Sequence, residues 1–298
     1  MDKKDIKMSF TKHGKNPLYG NAVLGTMFDV YMTKINGKYR MDVSWRKEKA
    51  VAVAFSEDGL DFTLPQKTLT ANPESGWEDD LNRNCVLFVD GVYKMWYTGQ
   101  ANGHSYIGYA ESADGVSFER KSATPILSPE LDFEGESVMN PCVLYENGIY
   151  RMWYSAGETY EPNVICYAES KDGISFKKAD FNPILSCDKS NFYEQDRIGG
   201  CQVIKTDDMG YLIFYIGYSD IDTACICCAK SDDGISNWVR SPLNPLVYPT
   251  KGEWDGDACY KPTAIFEDGK WRIWYNGRLE TNEYIGLAEY NERNLFPV

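Results

Sequence analysis

VDGVYKMWYTGQANGHSYIGYAESADG, residues 89–115, is the stretch from which the fold can be read. An apolar strand enters from the left and Gly91 makes a tight turn. An aromatic-rich strand, YKMWYTG (93–99), follows, and a third strand, YIGYAESADG (106–115), runs into Asp-Gly. The same phrase returns along the chain. Its turn glycines are Gly37, Gly91, Gly148, Gly210 and Gly269, roughly 60 residues apart. The other second strands are YRMDVSW (39–45), YRMWYSAG (150–157), YLIFYIG (211–217) and WRIWYNG (271–277). The matching third strands are AVAVAFSEDG (50–59), VICYAESKDG (164–173), ACICCAKSDDG (224–234) and YIGLAEY (284–290).

A period of this length with several short strands per unit implies one propeller blade per repeat, hence an all-β, five-bladed β-propeller. A fourth strand with an Asn-Pro or Thr-Pro step ends the middle repeats: SFERKSATPIL (117–127), SFKKADFNPIL (175–185) and NWVRSPLNPLV (237–247). The same phrase opens the chain as SFTKHGKNPL (9–18), whereas the fifth repeat ends at AEYNERNLFPV without such a step. The expectation is that the N-terminal strand completes blade five and removes an exposed edge. Phe296 aligns with Phe118 and Phe176, which leaves the C-terminus as the alternative. The chain then forms one domain, 1–298, with blades near 21–70, 71–128, 129–186, 187–248, and 249–298 plus 8–18.

Bulk properties narrow the function. Aromatic residues make up 14%, which suits packing between blades. A formal charge of −13 argues against nucleic acid, whose phosphates are neutralised by Lys and Arg. No apolar run reaches the length of a membrane span, and MDKKDIKMSF has no signal-peptide core, so the expectation is a cytoplasmic protein without a membrane partner. The nine Cys lie inside strands rather than at framework spacings and read as reduced, buried thiols. In the Cys225, Cys227, Cys228 cluster, strand alternation splits the side chains between two faces, and no metal or cofactor is implied. SEDG, SADG, SKDG and SDDG read as hairpin turns. With only His13 and His104, a His-based triad has almost nothing to work with.

Antiparallel strands return to the face from which they came, so the starts of first strands and the ends of second strands surround one mouth of the channel. Counting back from each turn gives Val30, Asn84, Pro141, Cys201 and Pro262, preceded by Asp29, Arg83, Asn140, Gly200 and Lys261. After the second strands come Arg46, Gln100, Glu158 and Arg278. This polar ring reads as a ligand site, against the bland alternative of salt bridges between blades. Trp45, Trp96, Trp153 and Trp274 read as one repeat position of blade packing, with Trp45 the one nearest the site.

The repeat pattern over the whole chain, with Asp29 opening the first blade, resembles the propeller glycosidases. These are the arabinanases and xylosidases of glycoside hydrolase family 43, the invertases and levanases of family 32 and, more distantly, the mannoside phosphorylases of family 130. The resemblance implies a carbohydrate substrate and a base or nucleophile at Asp29 in MFDVYM (27–32), where Val30 replaces the family's Pro. A supporting Asp belongs where this chain has Asn140, and an acid Glu where it has Gly199. The acid is then sought elsewhere, at Glu158 first, then Glu161, Asp196 or Glu136. Arg46 in SWR resembles the phosphate-holding YR element of family 130, while EDDLNR (78–83) only loosely echoes its EDPR. With Trp45, Arg83, Gln100, Lys261 and Arg278 as further substrate contacts, the expectation is hydrolysis of a fructoside or arabinoside. Phosphorolysis with inorganic phosphate and a non-catalytic sugar-binding propeller are the alternatives, and oligomeric state is left open.

Overall fold

The computed structural model describes Ile6 and residues 8–297. The reading of residues 1–10 for a signal peptide falls largely outside them. The described chain is all-β and runs as successive antiparallel meanders. Their strands are Met27–Ile35, Lys38–Trp45, Ala50–Ser56 and Gln66–Thr70; Asp80–Val89, Val92–Ala101, His104–Ser112 and Glu119–Arg120; Ser137–Glu146, Ile149–Gly157, Val164–Ser170 and Lys177–Lys178; Arg197–Thr206, Gly210–Tyr218, Ala224–Ser231 and Val239–Arg240; and Ala258–Glu267, Lys270–Leu279 and Asn282–Tyr290. Single parallel bridges at Ser105–Ser137 and Ala224–Ala258 join neighbouring meanders into larger sheets. First and second strands are linked by Asn36-Gly37, Asp90-Gly91, Asn147-Gly148 and Asp268-Gly269, with positive φ at both residues, as a two-residue turn matched to strand twist requires.

Thr11–Lys12 pairs antiparallel with Asn282–Tyr290, so the N-terminal segment supplies the outer strand of the last meander. Phe296 instead packs under the Lys230 ammonium, 4.8 Å from its ring centre. A buried polar set explains why this segment belongs there. Glu78, Glu134, Glu194 and Asp255 are fully buried just before a first strand. Each accepts a hydrogen bond from a second-strand tyrosine: Tyr97, Tyr154, Tyr215 and Tyr275. Each also pairs with a fourth-strand cation: Arg120 at 2.5 Å, Lys178 at 2.7 Å, Arg240 at 2.7 Å and, from the N-terminal strand, Lys12 at 2.5 Å. Lys12 in SFTK thus does for the last meander what Arg120 in SFER does for the second.

The apolar clusters lie between meanders rather than within them. One unites Val51 and Leu69 with Trp77 and Tyr97, and another unites Met27, Met41 and Ala54 with Trp274, Ile285 and Leu287 of the last meander. Tryptophans latch one meander to the next through the Ser-x-Asp-Gly turns. Trp96 Nε1 donates to the Gly173 carbonyl at 2.8 Å, Trp153 to Gly234 at 2.7 Å and Trp274 to Gly59 at 2.9 Å. At Gly59, with φ +75°, a Cβ would stand 2.8 Å from the Trp274 ring, so the turn accepts only glycine without a shift. The turn aspartates accept hydrogen bonds from backbone amides, as at Asp114 with Val116 and Ser117, so these residues are engaged in the turn itself.

Trp45 is not part of this tryptophan position. Register sets Asp42 opposite Tyr31 as Trp96 stands opposite Cys85, so Asp42 is the first-meander equivalent. There Arg40, paired with Asp42 at 2.7 Å, donates to the Gly115 carbonyl in place of an indole.

Replacing Lys12 by Ala leaves the Asp255 carboxylate buried without its cation. It should lower unfolding free energy by about 3 kcal/mol in chemical denaturation, with Lys12→Arg retaining most of the stability. An unchanged midpoint for Lys12→Ala would show that the N-terminal strand does not hold the last meander.

Candidate active site

Every first strand carries one extra residue at the same point. Register shifts fall between Phe28 and Tyr31, Asn82 and Cys85, Met139 and Cys142, Gly199 and Gln202, and Tyr260 and Thr263. The bulged residues are Asp29, Arg83, Asn140, Gly200 and Lys261, with φ of 54°, 52°, 55°, 48° and 52°. Four of them are non-glycine residues held in the left-handed region, a strain typical of functional sites. The freed amides are caught by a neighbouring meander. Arg83 N–H donates to Ser44 Oγ at 3.0 Å, Asn140 to Thr98 Oγ1 at 3.1 Å, Gly200 to Ser155 Oγ at 2.8 Å and Asp29 to Asn276 Oδ1 at 3.3 Å. For Lys261 the corresponding second-strand residue is Ile216, which cannot accept.

A cavity of about 490 Å³ opens over these bulges. Asp29, Arg83 and Asn140 line it from the bulges, joined by Arg46, Gln100, Glu161 and Arg278 from the strand ends. Asp29 is 5% exposed. Ser44 Oγ donates to its Oδ2 at 3.3 Å, and Arg83 Nε stands 4.0 Å from the same oxygen. Burial pushes the Asp29 pKa above the usual carboxylate range, against the opposing pull of Arg83 and Lys261. Lys261 is buried beside Asp29 rather than on the open wall.

Arg46 stacks on Phe28, 4.4 Å from the ring centre, and pairs with Glu283 at 2.9 Å. Glu283 also accepts a hydrogen bond from Tyr260. Gln100 accepts from Asn82 Nδ2 at 2.8 Å and donates to Ser105, and Arg278 donates to the Asp222 carbonyl at 2.6 Å.

Besides Lys261, three residues expected at the mouth do not line the cavity. Glu158 is exposed and Asp196 half-buried, and both serve as counterions to Arg197, at 3.9 and 2.6 Å. The reason is local. The chain turns immediately after the second strand, with Glu161 N–H returning to the Glu158 carbonyl and Tyr160 at φ 63°, and of the two acids it is Glu161 that lines the cavity. Trp45 packs beneath the first meander and donates its indole N–H to the Leu24 carbonyl at 2.8 Å.

The residue missed by sequence reasoning is Glu283. It pairs with the site cation Arg46 at 2.9 Å, and it lies on the third strand of the last meander. Register pairs it with Arg278 as Ser105 pairs with Gln100, so the signal was an acid where another repeat carries serine. Tyr260, Asn82, Asp79, Asp80 and Tyr160 also line the cavity without having been expected there.

The family model described as glycosyl hydrolases family 32 N-terminal domain matches residues 70–243. An uncharacterized protein of Mycobacterium tuberculosis is 25% identical over 278 residues, covering 89% of this chain and 88% of that protein. A 1,2-beta-oligomannan phosphorylase of a Thermoanaerobacter species is 32% identical over 163 residues, covering 50% of this chain and 51% of that enzyme. Among solved structures, a thermostable family-43 glycoside hydrolase superposes with a TM-score of 0.72 at 17% identity, covering 91% of each chain.

The raised pKa of Asp29 has a consequence for stability. The folded state binds this proton more tightly than the unfolded chain, so its contribution falls as pH rises from the ordinary carboxylate range through the raised value. Asp29→Asn removes that penalty. The variant should melt above the wild type at pH 7, with the difference shrinking as pH is lowered toward 4. A variant less stable than wild type at pH 7 would contradict the assigned burial cost.

Proposed function

We propose, from the premise that this chain belongs to the glycosyl hydrolases family 32 N-terminal domain family, that it cleaves a glycosidic bond in the cavity over the bulged residues. Its fold neighbours are carbohydrate-active enzymes, hydrolases and phosphorylases alike. The observation that carries the reading is Asp29, a buried carboxylate on a strained bulge at the cavity floor, with its proton affinity raised by burial.

Glycoside hydrolysis needs two carboxylates in different surroundings. Asp29, expected from the resemblance to be the base or nucleophile, is instead suited to carry the proton, because burial favours its neutral form. Glu283, paired with Arg46 and Tyr260, is the candidate partner carboxylate in place of Glu158 and Asp196. Arg83, Asn140, Gln100, Glu161 and Arg278 would orient sugar hydroxyls from the surrounding wall, with water as acceptor and a fructoside or arabinoside as substrate. The meanders are read as five blades of one ring closed by the N-terminal strand. Lys12 on Asp255, the Asp29–Asn276 bond and the core shared by first and last meanders support that arrangement.

Phosphorolysis is the second reading, favoured by the similarity to the oligomannan phosphorylase and by the cations around Asp29. It needs a single acid, with phosphate as nucleophile. Aryl furanosides, aryl pyranosides and natural oligosaccharides assayed with and without phosphate separate the two, since release of a sugar 1-phosphate marks phosphorolysis.

Asp29→Asn should lower kcat by about 10²–10⁴-fold with folding intact, and Glu283→Gln should do the same if cleavage is hydrolytic. Near-normal turnover in Asp29→Asn would remove it from the chemistry. Sugar binding without turnover in either buffer would make the protein a binding module.

A further inference from the structure

The part of the cavity that the fourth meander supplies differs in character from the rest. The other bulges carry Asp29, Arg83, Asn140 and Lys261, but the fourth carries Gly200, preceded by Gly199, and apolar atoms occupy the room beside both. A Cβ at Gly199 would stand 2.3 Å from Pro162 Cβ, and one at Gly200, where φ is +48°, would stand 2.5 Å from Ile216 Cδ1. Pro162 therefore takes the room that a side chain would need at the position where the resemblance to the propeller glycosidases puts an acid. Ile216 likewise holds the second-strand position that is Ser44, Thr98, Ser155 or Asn276 in the other meanders.

These residues form a continuous face. Ile216, Ala224 and Ala258 make a buried apolar cluster of their own, flanked by Tyr218 and Tyr260, and all five line the cavity. Pro162 and Ile221 extend the lining. Ile221 is 62% exposed, on a turn fixed by Asp220, whose carboxylate accepts the N–H groups of Asp222 at 3.0 Å and Thr223 at 2.7 Å. A large apolar side chain is thus presented to solvent on a braced support. The acids on this side, Glu161 and Asp222, are exposed, whereas Pro162, Ile216, Ala224 and Ala258 are buried. The face also reaches the floor, because Tyr218, whose hydroxyl pKa burial raises, is within electrostatic reach of Arg83 and Asp29. Hydrogen-bonding capacity is concentrated instead on the first two meanders, at Arg46, Asn82, Arg83 and Gln100.

A sugar hydroxyl set against the apolar face would give up water without gaining a partner, so the face suits a group that carries none. Acidic residues outnumber basic ones along the lining, which disfavours an anion as well. We propose that this fourth-meander wall binds an apolar aglycone, so that the substrate is a glycoside of an alkyl or aryl alcohol rather than an oligosaccharide. The inference rests on the reading of this cavity as the glycosidic site and names the class of its substrate. The sugar then lies against Arg46, Asn82, Arg83 and Gln100, and the aglycone against Ile216, Pro162 and Ile221, with Asp29 on the floor they share.

Calorimetric titration of the full chain with the methyl, hexyl and phenyl glycosides of arabinofuranose, fructofuranose and mannopyranose tests this, with arabinobiose, sucrose and mannobiose for comparison. For at least one sugar, the hexyl or phenyl glycoside should bind about tenfold or more tighter than both the methyl glycoside and the disaccharide. Ile221→Ser and Ile216→Thr should each cut that ratio by about fivefold or more. Threonine at position 216 is the residue type that the second meander carries there, so this variant should fold, and its melting temperature checks that it does. Asp29→Asn should keep the preference while turnover is lost. Apolar preference without cleavage by the wild type therefore upholds the wall and removes the catalytic reading, and cleavage without that preference does the reverse. The proposal is overturned if no hexyl or phenyl glycoside binds, if each binds no tighter than its methyl counterpart, or if the preference is unchanged in folded Ile221→Ser and Ile216→Thr.

Discussion

A bulge frees a backbone amide, and a buried amide has to be paired; on this constraint both the fold and the site depend. Each first strand bulges once, and at four of the bulges Ser44, Thr98, Ser155 and Asn276 reach across from a neighbouring meander to take the freed N–H. The bond therefore fixes how successive meanders sit against one another. It also locks the bulged residue in the left-handed conformation, from which Asp29, Arg83 and Asn140 line the cavity. Assembly of the sheets and orientation of the site are consequences of the same contact.

A second set of contacts keeps stability away from the chemistry. Glu78, Glu134, Glu194 and Asp255 are deep, each paired with a tyrosine and a cation, and none lines the cavity. The first meander does without this arrangement. Val43 stands at the tyrosine's place, and an apolar cluster shared with the last meander provides the packing. The acids of the site itself are treated differently. Asp29 has Arg83 only at 4.0 Å, and Glu283 is shared between Arg46 and Tyr260. Such incomplete pairing is poor for stability and well suited to groups that exchange a proton or meet a ligand.

Much of the site was legible because it is periodic. Counting back from each hairpin glycine leads to Asp29, Arg83, Asn140, Gly200 and Lys261, since the strand between bulge and turn has nearly constant length in every repeat. Position along the repeat did not predict direction where the chain leaves the strand. Glu158 and Glu161 are separated by two residues, yet the turn at Tyr160 leaves one on Arg197 at the surface and the other on the cavity wall. Trp45 resembled the other second-strand tryptophans by residue type alone. Pairing register, which is a property of two strands rather than one, assigned their position to Asp42.

The sequence by itself determined the repeating strand pattern, the turn glycines, the match of SFTK to later fourth strands and the polar character of the bulge positions. All of these are set by local backbone preference and by period, which a single chain displays directly. Only the tertiary structure decided which charges meet. That Glu283 from the last meander faces Arg46 from the first depends on residues more than 200 positions apart being brought within hydrogen-bonding distance. Coulombic and hydrogen-bonding energies change over a few ångströms, and no repeat in a sequence specifies distances that short.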